Sequence, residues 1–169
     1  MTDPAFPLTV GGSSRQMLRE ELAAAGVELN AFAETLLEHP CFTPGPARTL
    51  TLTRRTVGEL GLPRGGPQSQ VIAVAQQQGF RLCPPETGPY LRLTMSSQAS
   101  SPDSVLSAGR IPSGALHVLS APLSEDEEYP KGFYLRVVDG VSWLRGFRCD
   151  DEYCWPPEAT VVLRAPQEG

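Results

Sequence analysis

The most informative pattern of apolar and polar residues lies between positions 133 and 148, in the run FYLRVVDGVSWLRGFR. Two segments rich in strand-forming residues flank Asp139 and Gly140, a dipeptide that readily adopts the positive φ angles of a two-residue type I′ turn. The sequence therefore predicts a β-hairpin with an arginine and aromatic face and a leucine face. The predicted pairs are Val138 with Val141, Arg136 with Trp143, and Tyr134 with Arg145 on the first face, and Leu135 with Leu144 on the second.

The first part of the chain carries the spacing of amphipathic helices. Ser13 or Ser14 is placed to cap a helix from residue 15 to about residue 25, and Gly26 is placed to end it. A second helix is predicted over residues 30–38, giving a helical hairpin. Proline and glycine interrupt regular structure in residues 39–48, which we interpret as a connector. The residues expected on the apolar helix faces are Met17, Leu18, Leu22, Ala25, Phe32, Leu36 and Leu37.

Between residues 49 and 83 the pattern predicts a strand, a turn, a helix and a second strand. Residues 49–53 alternate strictly, and Thr56 is placed to cap the turn that follows. The helix is predicted over residues 68–78 and the second strand over 80–83. This order loosely resembles the start of a helix-turn-helix unit. Because the helix carries no Arg or Lys, we expect it to pack against the core instead.

From residue 90 onward the pattern indicates β structure. The predicted strands are 90–95, 115–120, 133–138, 141–148 and 160–164. The serine-rich residues 96–114 are too poor in apolar side chains to pack, and we expect a mobile loop there. We predict an α+β fold in which N-terminal helices pack on one face of a largely antiparallel sheet of about five strands. Residues 1–48 form the helical segment and residues 49–169 the α+β domain, within one compact unit.

Composition places the chain among soluble globular proteins. The hydrophobic fraction is 40% and the charged fraction 20%, and no apolar run approaches the roughly 20 residues of a membrane span. The N-terminus lacks the pattern of a secretory signal. We therefore expect a cytoplasmic protein, not a membrane protein, whose four cysteines are mostly thiols. The net charge of −5 disfavours a protein that binds nucleic acid mainly by neutralising phosphates.

The chain carries no motif of a known catalytic or metal site. GxxxxGK[ST], GxGxxG and HExxH are absent, and neither His39 nor His117 lies in a context such as GxSxG. A zinc site can be drawn from His39, Cys41, Cys149 and Cys154, but the paired CxxC spacing of structural zinc sites is missing. A reversible disulfide between Cys149 and Cys154 is a further alternative. We predict no catalytic residue, no metal and no cofactor.

Three segments together resemble a known family. They are TVGELG at 56–61, LCPPETGPYLRL at 82–93 and the hairpin sequence. They are similar to the TVxELG and LCPxExGPxLRL pattern of a family of small bacterial proteins, some of them associated with phage or mobile elements. The resemblance implies a bacterial source. Because no catalytic or binding residues are assigned in that family, the resemblance implies no mechanism.

The arginine and aromatic face is the surface that best indicates a function. Arg, Trp and Tyr are enriched at the energetic centres of protein interfaces. We therefore expect a non-enzymatic protein-binding or regulatory module, provided that strand 90–95 lies on the same side of the sheet as the hairpin. The candidate binding residues are Tyr90, Arg92, Tyr134, Arg136, Trp143 and Arg145.

Three alternatives to this interpretation stay open. In the first, the face has no binding role: it consists of cross-strand cation–π pairs that only shield a sheet, or the helices cover it. In the second, the protein is a small hydrolase or transferase whose site assembles in space around His39 or His117. In the third, it binds nucleic acid through a stripe that joins the sheet arginines to Arg48, Arg54, Arg55 and Arg64.

Overall fold

The computed structural model describes residues 5–40, 42, 45–95, 115–121, 123–124, 126, 128–147 and 154–166. Four helices and seven strands lie within these ranges. In chain order they are β1 (Phe6–Val10), α1 (Arg15–Ala24), β2 (Glu28–Leu29), α2 (Ala31–Leu37), β3 (Arg48–Thr56), α3 (Gln68–Gln77), α4 (Thr87–Thr94), β4 (Leu116–Val118), β5 (Gly132–Val138), β6 (Val141–Phe147) and β7 (Thr160–Arg164). The expected loop over 96–114 lies outside the described residues.

All seven described strands belong to one sheet, in the order β1-β3-β7-β4-β5-β6-β2. The β4–β7 and β2–β6 pairs are parallel, and the other four pairs are antiparallel. The α+β class is confirmed, and the sheet is largely antiparallel. It has seven strands in the described residues instead of about five, however, and only β4, β5 and β6 pair in sequence order. The sequence pattern predicts neither β1, which contains Pro7, nor the two-residue β2.

The hairpin at residues 132–147 forms as its sequence predicts. Asp139 has a φ of 51° and Gly140 a φ of 79°, the positive values that a type I′ turn requires. The strands pair Val138 with Val141, Arg136 with Trp143, Tyr134 with Arg145 and Leu135 with Leu144. The predicted register is therefore confirmed, and with it the set of side chains that share each face.

The two N-terminal helices are also confirmed. The Ser14 hydroxyl caps α1 by accepting a hydrogen bond from the Met17 amide at 3.2 Å, and Asn30 caps α2 through the Ala33 amide at 2.8 Å. Strand β2 separates the two helices, so they do not form a simple helical hairpin. The Met17 side chain is 48% exposed and lies off the apolar face of α1, which contains Leu18 and Leu22.

The middle of the chain follows its pattern closely. Thr56 and Glu59 form a capping box, in which the Glu59 amide donates to the Thr56 hydroxyl at 3.0 Å and the Glu59 carboxylate accepts from the Thr56 amide at 2.8 Å. These hydrogen bonds hold the pKa of Glu59 below its usual value. The segment after α3 is extended, with ladder contacts at Arg81 and Cys83.

Residues 90–94 form the end of helix α4 and Met95 is its C-cap, so the strand predicted over residues 90–95 is wrong. Helix α4 contains Pro89 in its first turn, where a missing amide hydrogen and a fixed φ are tolerated. A Cβ atom added to Gly88 would lie 2.6 Å from the Phe133 side chain. The absence of that atom lets α4 pack closely on β5. The alternation in YLRL resembles a strand, but this helix–sheet contact determines the structure.

Helices cover both faces of the sheet, so the expectation of one covered face is wrong. A first core contains buried side chains of α1, α2 and α4, and a second contains those of α3 and Trp155. Adjacent residues of β7 project into opposite cores: Val162 belongs to the first core and Val161 to the second. Every residue of β5 is buried, as expected for a strand covered on both sides.

Asn30 closes much of the β6 edge of the sheet. Beyond the two residues of β2, its side-chain amide donates to the Gly146 carbonyl at 3.0 Å and accepts from the Gly146 amide at 2.8 Å. The side chain thus continues the ladder that β2 begins. It also caps α2, and so joins that helix to β6.

We expect Gly146→Ala to lower the free energy of unfolding by about 3 kcal/mol, the upper end of the usual cost of overpacking. A Cβ atom there would lie 2.6 Å from the Phe32 carbonyl carbon and 2.8 Å from the Ala33 amide nitrogen. Both atoms are backbone and cannot rotate away. Chemical denaturation measures the loss, with Gly45→Ala as control because no atom lies within 4 Å of its added Cβ. Equal stability of the two variants would contradict this account.

Candidate functional site

The six predicted binding residues divide between the two sides of the sheet. The four hairpin residues, Tyr134, Arg136, Trp143 and Arg145, project to one face because of their register. Tyr90 and Arg92 lie on α4, which packs against the opposite face. The Tyr90 hydroxyl accepts a hydrogen bond from the Ser13 amide at 3.3 Å. The predicted single surface of six residues is therefore wrong.

Most of these side chains are enclosed. Arg136 is 0% exposed and Arg145 8%, and Tyr134 and Arg92 are also buried. Only Trp143 and Tyr90 keep intermediate exposure. The expectation of an open arginine and aromatic face is wrong, because Tyr134, Arg136 and Arg145 are buried. The Tyr134 ring stacks on that of His117 from the neighbouring strand β4.

Arg92 connects α4 to the hairpin through hydrogen bonds of its guanidinium group. Its guanidinium donates to the Met95 carbonyl at 2.7 Å and, at 3.4 Å, to the carbonyl of Trp143. Burial lowers the pKa of Arg92. Arg92 therefore holds the backbone at Trp143 from the side of the sheet opposite to the Trp143 ring.

Trp143, Arg145 and Tyr134 form a stack on the other face. The Arg145 guanidinium carbon lies 5.0 Å from the centre of the Trp143 ring and 5.9 Å from that of Tyr134. Arg145 Nε also donates to the Tyr134 hydroxyl at 2.7 Å. Burial raises the pKa of Tyr134, although the charge of Arg145 opposes that effect. The stack fixes the Trp143 ring while leaving it partly exposed.

His117 lies in an aromatic box behind this stack. Its ring is 4.9 Å from the rings of Tyr134 and Phe147 and 5.0 Å from that of Trp155. Within the described part of the chain, the buried His117 Nδ1 and Trp155 Nε1 atoms have no hydrogen-bond partner. Burial lowers the pKa of His117 to about 3, so the imidazole is neutral near pH 7. Its ring neighbours offer neither a nucleophile to activate nor a carboxylate to orient it.

The cysteines separate into buried and exposed thiols. Cys83 is buried, and desolvation raises its pKa to about 12 despite the opposing charge of Arg164. Cys154 is an exposed free thiol. The other two members of the zinc and disulfide alternatives, Cys41 and Cys149, lie outside the described residues. The described residues contain no group of three or more potential metal ligands.

The arginines of the nucleic-acid alternative point in different directions. Arg54 and Arg55 are adjacent on β3 and so project to opposite faces of the sheet, with Arg55 over the Phe80 ring at 5.3 Å. Arg48 forms an ion pair with Glu86 at 2.9 Å. With Arg136 and Arg145 buried, these side chains do not form one exposed stripe.

Sequence reasoning did not single out a second group of polar residues. Arg81 and Arg164 are paired across a β-bridge, and Arg48 begins β3, whose Leu52 lies opposite Arg164. Arg81 and Arg164 belong to strands that the sequence predicts, and Arg48 to the predicted connector just before one. No local signal indicates that the segments after α3 and at β7 are neighbours. The sequence analysis did not single out Trp155 either, because only the size of its side chain indicates a position in the core.

No family model, curated protein or solved structure matches the chain. The resemblance to the bacterial family with the TVxELG and LCPxExGPxLRL pattern stays a prediction. Among the helices that the structure describes, none has the length and apolar character needed to cross a membrane.

Proposed function

We propose that the protein is a non-enzymatic protein-binding module that contacts its partner through the Trp143 patch, defined as Val141 and Trp143 on β6. The observation that carries the proposal is a partly exposed tryptophan held in place by buried groups. Val141, two residues away on the same face, is 39% exposed. Tryptophan is among the residues most enriched at the energetic centres of protein interfaces.

The Trp143 ring is positioned before any partner arrives. Arg145 lies against it at 5.0 Å, and the Tyr134 hydroxyl fixes Arg145 through a hydrogen bond of 2.7 Å. Arg92 contacts the Trp143 carbonyl from the other side of the sheet. A side chain that is already ordered loses little conformational entropy on binding, so the arrangement favours recognition.

The surroundings of the patch indicate the charge of the partner. Glu28 on β2 lies directly opposite Trp143 in the parallel ladder and is exposed. Asp139, in the hairpin turn, is also exposed. Together with the net charge of −5, these carboxylates favour a partner with an apolar side chain for the patch and basic residues around it.

The same observations weigh against the two other classes. An enzyme centred on His117 is disfavoured, because the imidazole is enclosed by aromatic rings and stays neutral. Nucleic-acid binding at the hairpin is disfavoured, since Glu28 and Asp139 would repel phosphates.

We expect Trp143→Ala to abolish capture of a specific partner from an extract of the source organism and to weaken binding of that purified partner about tenfold or more. Glu28→Lys should also weaken binding, because it reverses the charge beside the ring. Met17→Ala is the matched control, since Met17 is a similarly exposed apolar side chain on α1. Isothermal titration calorimetry measures the affinities, and circular dichroism checks the fold. An unchanged set of partners for a folded Trp143→Ala protein would refute the proposal.

A further inference from the structure

Three arginines lie toward the end of the sheet where β3 begins and β7 ends. Arg48 is the first residue of β3, Arg164 is the last residue of β7, and Arg81 lies in the extended segment between α3 and α4. Strands β3 and β7 are antiparallel, with Arg164 opposite Leu52, four residues along β3 from Arg48. The positive charge of Arg48 contributes to lowering the pKa of Arg164. This arginine group is distinct from the Trp143 patch.

Arg81 and Arg164 are held directly opposite each other. The Arg81 amide donates to the Arg164 carbonyl at 3.1 Å, and the Arg164 amide donates to the Arg81 carbonyl at 2.8 Å. Residues that exchange both hydrogen bonds in an antiparallel pair project their side chains to the same face, with Cβ atoms about 5 Å apart. Like charges in this position destabilise a sheet, so the arrangement needs a compensating group.

Carboxylates within the described residues neutralise only part of the positive charge of the three arginines. Glu86 pairs with Arg48 at 2.9 Å, but neither Arg81 nor Arg164 has an ion pair there. Arg164 Nε donates to the Leu82 carbonyl at 2.7 Å, which fixes that guanidinium without neutralising it. Glu86 therefore neutralises Arg48, and the opposed pair Arg81 and Arg164 leaves two positive charges together in a chain of net charge −5.

Two further observations indicate that water does not fully solvate these positive charges. The Nε atom of Arg81 is buried and has no hydrogen-bond partner in the described part of the chain. The pKa of Arg164 lies below its usual value, first because of burial and then because of the charges of Arg81 and Arg48. A buried donor without an acceptor and two mutually repelling cations would both be relieved by one oxyanion.

We propose that Arg48, Arg81 and Arg164 form a binding site for a phosphate monoester group. Guanidinium forks match the oxygen geometry of phosphate, and two uncompensated positive charges at one place match the dianion of a monoester. A nucleic-acid backbone, with one charge on each successive phosphate, would need a stripe of cations instead. Glu86 competes with the ligand for Arg48 and so limits the affinity.

The test is titration of the full chain with inorganic phosphate near pH 8 at constant ionic strength, followed by calorimetry and by thermal unfolding. We expect saturable binding with a rise in Tm, and no comparable effect of dimethyl phosphate, a monoanionic diester. Arg81→Gln should weaken phosphate binding about tenfold or more. Glu86→Gln should tighten it, because Arg48 becomes available. Arg19→Gln is the matched control, since Arg19 pairs with Glu38 on the helical surface, and it should leave the affinity unchanged.

The outcomes separate clearly. Absence of saturable phosphate binding to the wild-type chain would overturn the proposal, as would equal affinity for phosphate and dimethyl phosphate or an unchanged affinity in folded Arg81→Gln. If Arg81→Gln does not fold, the comparison of wild type with Glu86→Gln decides. Tighter binding supports the site, and unchanged or weaker binding contradicts it.

Discussion

Replacement of Trp155 by alanine is expected to lower the free energy of unfolding by about 3 to 5 kcal/mol, the usual cost of removing a buried aromatic side chain. Trp155 is 1% exposed and is among the largest fully buried side chains that the structure describes. Its ring contacts His117 at 5.0 Å and Phe147 at 5.8 Å. Domains are typically stable by only about 5 to 15 kcal/mol, so this one change would remove much of the stability. Chemical denaturation followed by circular dichroism measures the loss.

The second tryptophan of the chain provides the matched control. Trp143 is partly exposed, so we expect Trp143→Ala to cost about 1 kcal/mol. Trp155→Phe should cost clearly less than Trp155→Ala. It keeps an aromatic ring in the box and removes an indole N–H that has no partner among the described residues, and such a buried donor costs about 1 to 3 kcal/mol. Similar losses for Trp155→Ala and Trp143→Ala would contradict the burial of Trp155.

Acidification is expected to destabilise the wild-type protein more steeply than a His117→Phe variant. His117 has its pKa lowered to about 3 in the folded protein, from 6.5 in an unperturbed histidine. Between these values the unfolded chain binds a proton at this position and the folded chain does not. Stability therefore falls as the pH decreases from about 6.5 toward 3, at about 1.4 kcal/mol per pH unit from this group.

The comparison with His117→Phe isolates the contribution of one side chain. The other titratable groups are common to both proteins, so their effects cancel in the difference between the two stability curves. We expect that difference to change by about 2 kcal/mol between pH 6.5 and pH 5. Phenylalanine suits the position because it preserves ring contacts with Tyr134, Phe147 and Trp155. Parallel curves for the two proteins, measured by chemical denaturation at each pH, would show that His117 is protonated in the folded state.

Local signals were sufficient for much of the secondary structure. The hairpin turn at Asp139 and Gly140, the caps at Ser14 and Asn30, and the capping box beginning at Thr56 each satisfy backbone groups within a few residues. Such interactions depend little on the rest of the fold. The hairpin turn and the caps at Ser14 and Thr56 were predicted from the sequence, and the structure contains them at the predicted positions. The cap at Asn30 was not predicted, although it lies at the predicted start of α2.

Helix α4 marks the limit of local prediction. Its sequence TGPYLRLT alternates like a strand near its end, while Pro89 and the spacing between Thr87 and Leu91 favour a helix. The close contact between Gly88 and Phe133 favours the helical form, and that contact joins residues 45 positions apart in the chain. When a sequence pattern suits both a strand and a helix, the tertiary contacts of that segment decide which one forms.

The sequence by itself determined which residues of the hairpin share a face, because the turn fixes the register and the register fixes the alternation of side chains. It did not determine which face meets solvent. Arg136 and Arg145 are buried, and the Tyr134 ring beside them stacks on His117 of β4, which in turn contacts Trp155. Both of these contacts come from outside the hairpin. The meeting of Arg81 with Arg164 has the same origin. Burial and charge clustering depend on contacts between distant segments, and only the tertiary structure decides those contacts.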